Sequence, residues 1–133
     1  MKNIRLWIAA AVIMLVLLCV GAASAETIAS GNCGAEGDNV TWTLDSEGVL
    51  SITGTGAMKD YGYDQGSFSP TTPWTQHMDK IKSAIISGGV TSIGDYVFAD
   101  CSSLTSIIIS NSVTSIGEGV FYDCSSLTSI VIP

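Results

Sequence analysis

The chain has 133 residues, twelve acidic and five basic side chains, and a net charge of −7 at pH 7. This length provides for one small domain and leaves no room for a second core of useful size. The acidic balance confers solubility and repels anionic polymers, which argues against nucleic acid as a partner.

Residues 1–25 have the features of a secretory signal peptide. Lys2 and Arg5 precede an uncharged apolar run from Leu6 to Val20, and the small residues Ala23, Ser24 and Ala25 follow. This pattern predicts cleavage after Ala25. The alternative is an uncleaved membrane anchor, because the run approaches the ~20 apolar residues of a spanning helix. After cleavage, three lysines face twelve acids, a net charge of −9, and we expect no stable membrane insertion.

Residues 26–79 are predicted to form an N-terminal cap module that contains a β-hairpin. The chain is polar and rich in glycine up to Asn39, and apolar residues then alternate with polar ones along two short segments, Val40–Leu44 and Leu50–Ile52. Alternation on both sides of a four-residue link that ends in Gly48 is typical of a hairpin. Residues 58–74 follow without periodicity but with four aromatic residues, which predicts an ordered connector loop packed on the repeats.

Residues 80–133 consist of a repeat with a period of 23. VTSIGDYVFADCSSLTSIIISNS is followed directly by VTSIGEGVFYDCSSLTSIVIP, and the register extends back to Lys80. The pattern predicts three strands, Ile81–Ile86, Leu104–Ile109 and Leu127–Ile132, with tight, partly 3₁₀-like turns on the opposite face. The predicted inward set of one unit is Val90, Ile93, Val97 or Phe98, Cys101, Leu104, Ile107 and Ile109. Because one repeat cannot bury its own apolar face, the fold should be a stacked solenoid.

The chain carries few copies for such an array and stops at Pro133, directly after a predicted strand. A final strand without a cap leaves unpaired backbone groups and open apolar surface. We therefore expect either a fragment of a longer gene product or end-to-end self-association through the last repeat.

The spacing Leu104-x-x-Ile107-x-Ile109-x-x-x-Val113-x-x-Ile116-Gly117-x-x-x-Phe121-x-x-Cys124-x-x-Leu127 resembles the BspA-like leucine-rich repeat family. Residues 39–61 also resemble the N-terminal module that often precedes these repeats. The resemblance implies a mainly β fold, a short leucine-rich-repeat solenoid capped by the hairpin module. It also implies an exported bacterial protein, secreted or at the cell surface, that is similar to adhesins and has no enzymatic activity.

Outward strand positions give the candidate binding surface. They form two columns across the rungs, a hydroxyl column of Ser83, Ser106 and Ser129 and an apolar column of Ile85, Ile108 and Val131. Such columns suit docking of an extracellular protein or glycan. The alternative is that β-branched residues merely favour the strand state there. At the level of the whole chain, the alternative to a binding module is a non-binding export-and-cap fragment whose functional region lies beyond residue 133.

No pattern in the sequence predicts catalysis, a cofactor or a metal site. His77 is the only histidine, it is expected in a loop, and the zinc, nucleophile-elbow and dinucleotide motifs are absent. Asp95 should stack with Glu118, and Asp100 with Asp123, as a solvated acidic face rather than a calcium site.

The three cysteines that remain after cleavage and the four aromatic residues of the connector leave further alternatives. Cys101 and Cys124 occupy equivalent positions in successive repeats and are expected as buried thiols rather than a disulfide, because their side chains would run side by side. The state of Cys33 stays open. The aromatic residues of the connector could stack on sugars, but cap packing is the simpler expectation: Tyr61, Tyr63, Phe68 and Trp74.

Overall fold

The computed structural model describes residues 25–132, so the predicted signal peptide lies outside the described range except for its last residue. Within that range the chain is mainly β, as predicted. The strands are β1 (Thr27–Gly34), β2 (Gly37–Asp45), β3 (Val49–Gly54), β4 (Gly56–Ala57), β5 (Ser83–Ile86), β6 (Val90–Ile93), β7 (Ser106–Ile109), β8 (Ser115–Ile116) and β9 (Ser129–Val131), and one 3₁₀ helix spans Thr75–Lys80.

The strands form two sheets. The larger has the order β1-β2-β3-β5-β7-β9, antiparallel as far as β3 and parallel from β3 onward, and the smaller is parallel with the order β4-β6-β8. Tight turns were predicted opposite the main strands; the repeats have turns, for example at residues 95–100, and in addition a short second ladder that was not predicted. The backbone of β6, which begins at Val90, pairs with that of β8 at the same 23-residue offset. This second ladder satisfies the backbone N–H and C=O groups of the segment.

The predicted stacking of the repeats is confirmed. Ser83, Ser106 and Ser129 are register partners in β5, β7 and β9, one period apart. Each strand begins two residues later than predicted, because the first residue of each predicted segment closes a turn; the Leu104 amide, for example, donates to the Cys101 carbonyl at 3.2 Å. The whole predicted inward set of the first complete unit is buried, including both Val97 and Phe98.

The predicted hairpin is present, with Leu44 opposite Leu50 and Gly48 at a φ of +86° in its link. The strand β1 was missed by the sequence analysis. Its inward residues are small because the Trp42 indole occupies the space beside them; a Cβ on Gly31 would lie 3.0 Å from Trp42 Nε1. A strand whose inward positions hold alanine, glycine and cysteine lacks the alternation of large apolar residues that identifies strands.

The cap module does more than cover the first repeat, because it reproduces the path of a repeat. β3 pairs with β5 and β4 with β6, both in parallel, as successive repeats do. The carboxylate of Asp60 accepts a hydrogen bond from the Asp95 amide at 2.8 Å, and the Asp95 carboxylate accepts one from the Glu118 amide at 2.8 Å. The same contact therefore links cap to repeat and repeat to repeat.

The glycine of the Ile-Gly pair in each repeat is required for steric reasons. A Cβ on Gly94 would lie 2.0 Å from the Lys59 carbonyl oxygen, and a Cβ on Gly117 would lie 2.4 Å from an Asp95 carboxylate oxygen. The chain of the preceding coil passes too close for any side chain at these positions.

Aromatic rings join the cap to the repeats. Trp74 is fully buried and packs edge-on against Trp42, with ring centroids 5.6 Å apart. It also stacks on Phe98 at 6.4 Å, and Phe98 stacks on Phe121 at 6.1 Å. The 3₁₀ helix follows Trp74 directly and contains His77, which was expected in a loop.

Candidate binding surface

The six predicted surface residues lie together on the outer face of the larger sheet. Ser83, Ser106 and Ser129 form one row across β5, β7 and β9, and Ile85, Ile108 and Val131 form the row beside it. The three apolar side chains are 38%, 46% and 49% exposed, respectively. The strand alternation is sharp, since Ile107 has no exposed surface while its neighbour Ile108 is nearly half exposed. The predicted outward orientation is therefore confirmed, and the binding role stays a prediction.

The rows continue into the cap module. β3 adds Val49 beside Ser83 and Ser51 beside Ile85, so both rows span four parallel strands. The outward positions of these strands are aliphatic or carry a hydroxyl, and none is aromatic: Val49, Ser51, Thr53, Ser83, Ile85, Ser106, Ile108, Ser129 and Val131. This face offers apolar contact and hydroxyl hydrogen bonds but no flat ring on which a sugar could stack.

The four aromatic residues of the connector do not form one group, as the alternative of a sugar-stacking platform requires. Trp74 is buried in the core, and Tyr61 packs against it at 6.3 Å. Tyr63 and Phe68 line a separate groove on the flank of the solenoid, together with Tyr96 and Tyr122. Tyr96 and Tyr122 were not among the predicted site residues. The available signal was the mismatch between copies, because Tyr96 stands where the next repeat has Gly119, and Tyr122 where the preceding repeat has Ala99.

The three cysteines of the described range are free thiols, and no disulfide links them. Cys33 and Cys101 are buried, whereas Cys124 is half-buried and its thiol lies 3.1 Å from the Phe98 carbonyl oxygen. Burial raises the pKa of Cys33 and of Cys101 to about 12, and that of Cys124 to about 11. Thiols held neutral in this way are poor nucleophiles and serve as apolar packing groups.

The acidic residues recur between copies as predicted. Asp95 contacts the Glu118 amide, and Asp100 and Asp123 line the same groove. Among residues 25–132, no three His, Cys, Asp or Glu side chains are arranged to hold a metal ion. In the same part of the chain, no helix has the length and hydropathy of a membrane span.

Comparison with known proteins agrees with this architecture. Residues 76–133 match the family model described as BspA type leucine rich repeat region (6 copies). A search of curated proteins found no match.

Two solved structures are similar to the chain. A leucine-rich repeat protein from Eubacterium ventriosum is 35% identical, with a TM-score of 0.65 over 78% of this chain and 26% of that one. The chain thus spans about a quarter of that protein's length. A leucine rich cell surface protein from Faecalibacterium prausnitzii is 22% identical, with a TM-score of 0.39 over 71% of this chain and 30% of that one.

Repeats of this type are generally non-enzymatic modules for protein interaction, and the solenoid with its exposed sheet has that architecture. From the family match and the likeness to the E. ventriosum protein, residues 76–133 are leucine-rich repeats of the BspA-like family.

Proposed function

We propose that the chain is exported and binds an extracellular protein through the outer face of its larger sheet, as a secreted or cell-surface module. The observation that carries this proposal is the row of Ile85, Ile108 and Val131, aligned in register and 38–49% exposed. Removing such surface from water contributes roughly 25 cal/mol per Å². The adjacent serine row supplies hydrogen bonds that fix the position of a partner.

A protein partner fits this face better than a glycan does. Sugars are bound by aromatic faces, and the outward positions of β3, β5, β7 and β9 carry none. The aliphatic row instead matches an apolar protein surface, and its serine and threonine neighbours match a polar rim. Export is supported by the features of residues 1–25, with the two basic residues, the apolar run and the small-residue cleavage site.

The test measures binding of the chain to a panel of immobilised extracellular matrix proteins, with a glycan array beside it. We expect binding to a matrix protein that Ile108→Glu abolishes while the melting temperature stays nearly unchanged, because the side chain faces solvent. Asn111→Glu adds the same charge at another exposed position and should bind normally. Binding to glycans alone would contradict the protein proposal. Equal binding by both variants would exclude this face as the contact, and the absence of binding to every protein would favour the non-binding export-and-cap fragment of a longer surface protein.

A second candidate function, end-to-end self-association, is favoured by a separate observation. Three side chains on the outermost described coil are 43–64% exposed, although their counterparts one period earlier are at most 2% exposed: Ile116, Ile130 and Ile132, against Ile93, Ile107 and Ile109. This face has the shape and chemistry that the preceding coil offers to its neighbour. A second copy of the chain could therefore stack on it.

Sedimentation velocity over a range of concentrations tests this second candidate. We expect a dimer that dissociates on dilution and that Ile130→Lys abolishes, because a charge would replace an apolar contact. Thr43→Lys places the same charge at an exposed position of β2, in the cap module, and should dimerise normally. A chain that stays monomeric at every concentration would contradict self-association.

A further inference from the structure

A groove of about 700 Å³ lies on the flank of the solenoid, away from the rows of the larger sheet. One wall comes from the connector, with Tyr63 and Phe68, and the other from the turns of two successive repeats. Phe68 is 76% exposed, so a large apolar ring stands at the edge of the groove without packing into the core. Neither the family match nor the solved relatives assign a role to this groove.

The two repeats form the groove because they differ at two positions. Tyr96 in one copy corresponds to Gly119 in the next, and a Cβ on Gly119 would lie 2.3 Å from Tyr96 Cε1. Glycine thus leaves the space that the tyrosine ring fills. Tyr122 adds a ring where the earlier copy has only Ala99. The two positions at which the repeats differ thus supply the tyrosine rings that line the groove.

The rings are fixed by contacts with one another. Tyr63 lies edge-on to Tyr96 at 5.6 Å and to Tyr122 at 6.4 Å, with interplanar angles of 76° and 84°. The Tyr63 hydroxyl donates a hydrogen bond to an Asp100 carboxylate oxygen at 3.1 Å. These contacts hold the three tyrosine rings at steep angles to one another, and the rings form a wall of the groove.

The charge of the groove is uniformly negative. Asp100, Glu118 and Asp123 line it, and none of the three lysines in the described range does so. A second concavity of about 370 Å³ shares Asp100 and Asp123 and adds two serine side chains, so the acidic surface extends beyond the rings. Aromatic faces and carboxylates both attract an organic cation, the first through cation–π contact and the second through charge-assisted hydrogen bonds.

We propose that this groove binds a lysine or arginine side chain from an extended basic segment of a partner protein. The cation lies against the faces of the tyrosine rings, and its N–H groups donate to the carboxylates. The adjoining concavity accepts the neighbouring residues of the segment, with serine hydroxyls for its backbone. This site is separate from the sheet face, so it does not rest on the function proposed above.

Isothermal titration tests the proposal with a hexapeptide that contains lysine and arginine, against a peptide of the same length in which glutamine replaces both. We expect binding of the basic peptide alone. Tyr122→Ala should weaken it at least tenfold, although this change leaves the net charge unaltered and removes a side chain that is 57% exposed. Asp100→Asn should weaken binding similarly. Asp79→Asn removes one charge on the exposed 3₁₀ helix, outside the groove, and should change the affinity less than twofold.

Three outcomes would overturn the proposal. If Asp79→Asn weakens binding as much as Asp100→Asn does and Tyr122→Ala has no effect, the peptide is held only by the overall charge. If the glutamine peptide binds equally well, the cation is not what the groove recognises. If a neutral oligosaccharide binds in a manner that depends on Tyr122 and the basic peptide does not, the groove is a glycan site. A melting temperature for each variant establishes that the chain is folded.

Discussion

The stacked phenylalanines offer a direct comparison between equivalent positions. Phe98 is fully buried between the rings of Trp74 and Phe121, at 6.4 Å and 6.1 Å. Truncating such a residue costs about 3–5 kcal/mol, through lost transfer free energy and the cavity that remains. Phe121 lies one period later but is only half-buried. With about half of the burial, we expect Phe121→Ala to cost about 2 kcal/mol.

The free energy of unfolding of both variants can be measured by urea titration. Fluorescence of Trp42 and Trp74 reports the transition, because both indoles are buried in the folded chain. Phe98→Ala should lower the free energy of unfolding by about 4 kcal/mol, roughly twice the loss for Phe121→Ala. Equal losses, or a larger loss at Phe121, would refute the inference that the aromatic stack is anchored at its Trp74 end.

Further predictions concern the turns and a buried thiol. Asp95→Ala should lower the free energy of unfolding by about 1 kcal/mol, because the Glu118 amide loses the acceptor of its 2.8 Å hydrogen bond. Asp95→Asn should lower it by less, since the asparagine side chain keeps an acceptor oxygen. Equal losses in urea titrations would contradict this. Gly94→Ala should lower the free energy of unfolding by about 3 kcal/mol or more, since the Lys59 backbone fills the space that the added Cβ needs. Gly62 has open space around it, so Gly62→Ala should change the free energy of unfolding by no more than about 0.5 kcal/mol in the same assay. Burial raises the pKa of Cys101 from 9.0 to about 12, so the stability that the neutral thiol contributes is complete below pH 9 and is lost as the pH rises toward 12. The melting temperature of Cys101→Ala should therefore fall less steeply above pH 9 than that of the unaltered chain.

The repeat strands were predictable because the same residue pattern recurs in successive repeats. A single segment such as Leu104–Ile109 is ambiguous, but its recurrence at an offset of 23 identifies both the period and the inward face. The orientation of Ile108 followed from the same register, and its 46% exposure agrees with it. The second sheet was missed because its strands are short, two residues in β8, and such pairing depends on the neighbouring coil rather than on local pattern.

The groove could not be derived from the repeat pattern, because it arises where the pattern fails. Tyr96 and Tyr122 occupy different positions in their repeats, and only the fold brings their rings to Tyr63 of the connector. The residue spacing between Tyr63 and Tyr122 contains no periodic signal. β1 was hidden for a comparable reason, since its small inward residues fit the Trp42 ring and carry no apolar alternation of their own.

The carboxylate contact that runs from Asp60 to Asp95 and on to Glu118 has an evolutionary consequence. Every unit offers its successor the same acceptor and the same ladder that the cap offers to the first unit. A duplication or deletion of 23 codons would thus preserve the backbone ladder and the carboxylate contact at a junction, provided that a repeat with tyrosine at the position of Tyr96 is followed by one with glycine at the position of Gly119. Proteins with this architecture can change their number of repeats by recombination within the gene, with no compensating change in the cap module.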